Sequence, residues 1–119
     1  PNIITSPAEI QRKPDLLRKF MAATARGYEY ARTHAQESAQ MLINQALRGT
    51  FPDTGLVMAS QDFLSPRYAD PGRKWGLQDA ADWHGYPQFI LNSGGVLDAS
   101  GKPVTSMNFN ALYTNEFLP

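Results

Sequence analysis

Apolar and polar positions along the chain alternate with the period of a helix over most of its length. The longest uninterrupted pattern runs from Lys13 to Arg32, where Leu17, Phe20, Met21, Thr24, Tyr28 and Ala31 recur at helical spacing and share one face. Lys13, Arg18, Lys19, Arg26, Glu29 and Arg32 lie mostly off that stripe. Pro14 suits a first helical position, because the N–H it lacks has no intrahelical partner there, and Asp15 faces the positive end of the helix dipole. Twenty helical residues span roughly 30 Å, the width of a small domain. Such a stripe needs a partner surface.

The flanking chain adds shorter elements. Residues 2–6 (NIITS) carry adjacent Ile3 and Ile4 followed by Thr5, a pattern for a short strand buried on both faces. A lone strand cannot pair its own backbone groups, so its partners lie outside what the pattern supplies. One helical turn follows Ser6-Pro7. Thr33 with Gln36 three residues on reads as a capping box for a new helix, whose apolar face is Ala39, Leu42, Ile43, Ala46 and Leu47. Phe51-Pro52 breaks the chain. Asp53 or Thr54 then caps a third helix through Leu64, with Val57, Ser60, Phe63 and Leu64 as its inner face. A fourth helix is expected from Trp75 or Leu77 to Asn92, kinked or split where Gly85 and Pro87 interrupt it. Ser93-Gly94-Gly95 ends it, DASGKP (98–103) is a turn, and a last short helix spans 108–113. The fold class read from this pattern is mainly α, four to five helices plus a short N-terminal strand.

Composition narrows the functional classes. At 119 residues the chain is one domain or part of one. Eleven basic residues balance eleven acidic ones, so no global field attracts nucleic acid or an anionic membrane, and no nucleic-acid partner is expected. The absence of cysteine removes disulfides, thiol nucleophiles and thiolate metal sites from consideration. The sequence opens at Pro1 without a methionine or signal peptide, which reads as a processed or partial form.

Candidate chemistry is sparse. His34 falls at the joint between two helices, where an imidazolium faces a helix C-terminus, and His84 in WHGYP lacks metal-ligand spacing. Ser60, Ser65 and Ser93 have no nucleophile-elbow context. Tyr68, Trp75, Trp83 and Tyr86 concentrate aromatic rings around a loop-to-helix junction, as core and interface or as a stacking wall for a flat ligand. No catalytic constellation emerges and no metal or cofactor is expected.

Taken in order, PNIITS, PDLLRKFMAATARGYEYARTH, ASQDFLSPRYAD, KWGLQDAADW and ALYTNEFLP resemble the C-terminal portion of extracytoplasmic solute-binding proteins of ABC importers. The branch is the one that binds thiamine-type pyrimidine precursors, nitrate, sulfonates or taurine. The resemblance implies a fragment (1–119) of a two-lobed α/β periplasmic-binding-protein fold of type II, gripping solute by hinge closure. It places 2–6 as a strand of the first lobe and the long helix on that lobe's sheet. It also implies a small polar or heteroaromatic solute, an ABC permease as membrane partner, and a location in the periplasm or at the cell surface. Tyr68, Trp75 and Gln78 are the residues expected to face the cleft. An exposed strand or helix face of such a fragment leaves a homo-oligomer open. The rival readings are a pyrimidine-synthase-type enzyme on the same fold and a self-sufficient helical interaction module. The enzyme requires a cofactor lysine and a metal-binding histidine, for which Lys13, Lys19, Lys74 and Lys102 offer no distinguishing context.

Overall fold

In a computed structural model, residues 2–119 are described and divide into two units. One takes in the described residues as far as Gly76 together with Phe117–Pro119, and the other is Leu77–Glu116. The described residues are mainly helical and contain no strand.

The first unit begins with α1 (Pro7–Arg12), capped by Ser6, whose Oγ accepts from the Glu9 N–H at 3.2 Å. Pro14 separates it from α2 (Pro14–Thr33), since proline lacks the N–H to continue a helix and pushes Lys13 out of the helical region (φ −135°, ψ 47°). The long pattern expected over 13–32 is thus a single 20-residue helix. Its inner face is the expected stripe, with Leu17, Met21, Thr24, Tyr28 and Ala31 half-buried. Phe20 departs from it, 52% exposed on another side of the helix.

His34 (φ −130°, ψ 53°) divides α2 from α3 (Ala35–Gln45), its N–H closing on the Tyr30 carbonyl at 2.8 Å. The expected Thr33–Gln36 capping box does not form. Thr33 is the last residue of α2, and its hydroxyl bonds back to the carbonyls of Glu29 and Tyr30, while Gln36 reaches across to Asp62. That partner is 26 residues away, which a local spacing rule does not see. α4 (Thr54–Leu64) packs on α3 and is capped by Asp53, whose Oδ1 accepts from the Leu56 N–H at 3.0 Å. Its inner face is Val57, Met58 and Gln61; Ser60, Phe63 and Leu64, expected inside, are exposed. Ala39 on α3 is buried, whereas Leu42 and Leu47 are half or more exposed.

A 3₁₀ turn, Ser65–Arg67, follows α4 and places Ser65 against α2. Ser65 is 2% exposed, and its Oγ donates to the Ala31 carbonyl at 2.9 Å and accepts from Gln61 Nε2 at 3.0 Å. Ala31 lies in the last turn of α2, where carbonyls lose their intrahelical donors, so the serine satisfies an orphan acceptor. Phe117 returns to this unit as a buried ring beneath the Arg18 guanidinium, 5.5 Å from its centroid.

In the second unit the expected fourth helix is two short ones, α5 (Ala80–His84) and α6 (Tyr86–Asn92), divided at Gly85 (φ −83°, ψ −103°) with Pro87 in the first turn of α6. α5 starts at Ala80, not at Trp75 or Leu77, because Asp79 takes the cap position and accepts from the Ala81 N–H at 2.8 Å. Gly94, at φ 74°, ends α6 in the left-handed conformation that glycine adopts without strain. Residues 98–103 turn as expected, closed by an isolated antiparallel bridge between Leu97 and Pro103. A 3₁₀ turn, Phe109–Ala111, stands where the last helix was expected, and Leu91 with Phe109 forms the buried centre.

The strand expected over residues 2–6 is not formed. Among the described residues no ladder is available to it, and Ile3 and Ile4 are 51% and 89% exposed. Ile3 and Ile4 are part of a wider excess. The chain exposes 8869 Å², against about 6,400 Å² for one compact body of this mass and about 7,700 Å² for two.

Candidate functional site

Within the first unit, Tyr28 is the hub of an aromatic cluster. The Tyr68 ring meets it edge-on, with centroids 5.0 Å apart at 90°, and Trp75 lies over it at 5.0 Å with a 31° tilt. Both arrangements suit the charge distribution of aromatic rings, edge to face or offset. The rings arrive from separate parts of the sequence. Tyr28 sits on the inner stripe of α2, Tyr68 directly follows the 3₁₀ turn, and Trp75 belongs to the loop that comes after it.

A polar chain fixes Tyr68. Its hydroxyl donates to Gln61 Oε1 at 3.1 Å, and the Gln61 amide in turn donates to Ser65, which is anchored on the Ala31 carbonyl. Through these three bonds α4 sets the orientation of a ring packed on α2.

Beside the cluster an open groove of about 370 Å³ is lined by Thr24, Gly27, Tyr28, Ala31 and Tyr68. Gly27 carries no side chain, and a Cβ built there meets nothing within 4 Å. Thr24 turns its hydroxyl back onto the Phe20 carbonyl at 2.8 Å, so its methyl is what remains for packing. The groove is therefore apolar at its base, edged by two phenol rings, and contains no charged side chain. It has no nucleophile, general base or ion cluster, and no group of three or more His, Asp or Glu side chains able to hold a metal ion occurs among the described residues.

Of the three residues expected to contact a ligand, Tyr68 lines the groove and Trp75 buttresses its Tyr28 wall. Gln78 belongs to the second unit. There its backbone N–H and carbonyl are clasped by the Asn115 amide at 2.9 Å each, and its Oε1 accepts from the Trp83 indole N–H at 3.0 Å. The four aromatic residues that cluster in sequence divide in the same way. Trp83 stacks on Tyr113 (5.5 Å, 10°) and Tyr86 on Phe89 (6.3 Å, 27°), both within the second unit. The sequence pattern places Tyr28 in packing alone, and the structure makes it a wall of the groove. The available signal was a large ring flanked by Thr24, Gly27 and Ala31, three small residues that leave the space beside it unfilled.

His34 stacks flat on Tyr30, with centroids 4.2 Å apart at 5°, and His84 meets Phe109 edge-on at 5.4 Å. The Glu37 carboxylate near the Tyr30 phenol raises its pKa above the ordinary value. Both histidines are thus placed by aromatic packing at helix ends.

Residues 1–38 match the model of the family described as NMT1/THI5 like. The matched stretch takes in α1, α2 and the start of α3, and so contains Tyr28, Gly27 and Thr24, whereas Tyr68, Trp75 and Gln78 lie beyond it. It is a similarity over part of the chain and supports the family no further than that. No curated protein and no solved structure matches the chain. No helix among the described residues is long and apolar enough to cross a membrane.

Proposed function

We propose that this chain is part of an extracytoplasmic solute-binding component of an ABC importer and performs no bond chemistry. The observation that carries the reading is the aromatic groove on α2, because its Tyr28 wall lies within the residues that resemble a family of solute-binding and thiamine-pyrimidine-related proteins. An uncharged, aromatic-edged groove of this size favours a flat, neutral heteroaromatic solute over nitrate or a sulfonate, which require cationic or N–H donors. In this reading Tyr68 stacks on the ring and Trp75 holds the Tyr28 wall. The whole protein delivers the solute to a membrane permease.

Calorimetric titration of the 119-residue chain with 4-amino-5-hydroxymethyl-2-methylpyrimidine, and separately with taurine and nitrate, tests the reading. Heat is expected from the pyrimidine alone. Loss of a stacking ring in Tyr68→Ala should weaken affinity about tenfold. Trp75→Ala should weaken affinity by a larger factor than its loss of melting temperature accounts for. Unchanged pyrimidine affinity in both variants would defeat the assignment, and so would binding of taurine or nitrate in its place.

A further inference from the structure

α2 carries a second apolar stripe, on its solvent-exposed side. Leu16, Phe20, Ala23, Gly27 and Tyr30 follow one another at spacings of four, three, four and three, the seam of a helix that pairs with another helix. All five are exposed, Leu16 at 58%, Phe20 at 52% and Tyr30 at 40%. Tyr30 is held at one end of the seam by its stack on His34. The middle of the seam is cut down to Ala23 and Gly27, between the bulk of Phe20 and Tyr30. Small residues at that point let another backbone come close.

The charges of α2 single out one flank. Arg18 pairs with Asp15 at 3.2 Å and Arg32 with Glu29 at 2.6 Å, each one turn along the same helix. Lys19 and Arg26 have no ion-pair partner among the described residues. They are seven residues apart, hence on one side of the helix. Lys19 stands between Leu16 and Ala23, and Arg26 between Ala23 and Tyr30, at the three- and four-residue offsets that make neighbours. The two unpaired cations of the helix therefore border its unpaired apolar seam.

We propose that this outer face of α2 docks a partner helix whose apolar seam is bordered by glutamate or aspartate. Charge complementarity selects that partner over a second copy of the chain. Two copies crossing antiparallel on the seam would set Lys19 of one against Arg26 of the other, and like charges oppose such a pair. The same cations would suit an anionic lipid surface, but a bilayer gains nothing from a seam narrowed at Ala23 and Gly27, whereas a helix ridge fits between Phe20 and Tyr30. The seam shares Gly27 with the aromatic groove, but the inference does not depend on the solute reading, since Leu16, Phe20, Ala23, Tyr30, Lys19 and Arg26 do not line that groove.

The test titrates the 119-residue chain into two fluorescent synthetic helices of about three heptads, identical in their leucine seam, one flanked by glutamate and the other by lysine. The glutamate-flanked peptide should bind about tenfold more tightly, from two ion pairs within the range of exposed values. The double variant Lys19→Glu/Arg26→Glu should reverse the preference. Ala23→Gln, an exposed change to another good helix former, should weaken both peptides with an unchanged helical circular dichroism signal. Equal affinity for the two peptides would overturn the proposal. So would an Ala23→Gln variant that binds as well as the parent. Co-sedimentation with phosphatidylcholine–phosphatidylserine vesicles but no peptide binding would assign the face to lipid. A dimer in light scattering that Ala23→Gln dissolves would assign it to a second copy.

Discussion

The two units reach order by different means. In the first, helices of 20, 11 and 11 residues follow from local sequence, and their ends are set by Pro14, His34 and Asp53. One buried serine and a run of aromatic contacts then hold the 3₁₀ turn and Tyr68 against α2. In the second, no helix exceeds seven residues, and isolated helices of that length are not stable in water. Its order comes from side chains that clasp distant backbone. Asn115 takes both backbone groups of Gln78, Trp83 reaches the Gln78 side chain and stacks on Tyr113, and Asp98 closes its own turn. A unit built from long helices loses stability by degrees; one built from clasps should fail at a single residue.

The sharpest way to break the contrast is Trp83→Ala. It removes an aromatic stack and an indole hydrogen bond from a half-buried position, a loss of about 2–4 kcal/mol. For 40 residues that is expected to unfold Leu77–Glu116 while the helices of the first unit persist. The chain has two tryptophans, Trp75 in the first unit and Trp83 in the second, so the variant also leaves Trp75 as the only indole. Its fluorescence should keep a cooperative thermal transition near that of the parent, while amide exchange in residues 77–116 becomes fast. A joint collapse of both regions would show that the units do not fold independently.

Ser65→Ala is the matching test of the first unit. It strips the hydroxyl that satisfies the Ala31 carbonyl and the Gln61 amide, leaving two buried or half-buried polar groups unpaired. The expected cost is about 1–3 kcal/mol. A lower denaturant midpoint read at Trp75, with α2 helicity retained, would fit a latch that positions Tyr68 without forming the helices. An unchanged midpoint would mean water replaces the hydroxyl at no cost.

How far the sequence was legible follows the same division. α2 could be read because its signals are local: a 3.6-residue stripe, a proline at its start and a charge-matched end. The split of α5 from α6 could be read because Gly85 and Pro87 act within one turn. Ser65 could not, because its value lies in a carbonyl 34 residues away. Periodicity places Phe63 and Phe20 inward, but it allows more apolar residues than one face can bury. The aromatic site was legible in kind and not in composition. Tyr68 and Trp75 stand out in the sequence, but Tyr28, which joins them, looks like any other position on an apolar stripe. Gln78 stood next to them in sequence and turned out to be clasped by Asn115 at a sequence distance of 37.

The smallest expected effect concerns the clasp that is wholly local. The Asp98 carboxylate accepts from the Ser100 N–H at 2.8 Å, the Ser100 hydroxyl at 2.7 Å and the Lys102 N–H at 3.0 Å. The Ser100 hydroxyl first, then these backbone donors, favour the ionised form and lower its pKa from the ordinary carboxylate value. A folded-state pKa below the unfolded one contributes stability that is complete above the unfolded value. That stability is lost as pH falls through the folded one. Asp98→Asn should therefore lower the melting temperature of the second unit slightly at pH 7, and the gap between parent and variant should close on acidification below the ordinary carboxylate range. Because the turn is exposed to solvent, the effect should also be smaller than that of Ser65→Ala. If the gap persisted at low pH, the stabilisation would come from the shape of the turn and not from the charge, and the second unit would then share the first unit's dependence on local backbone preference.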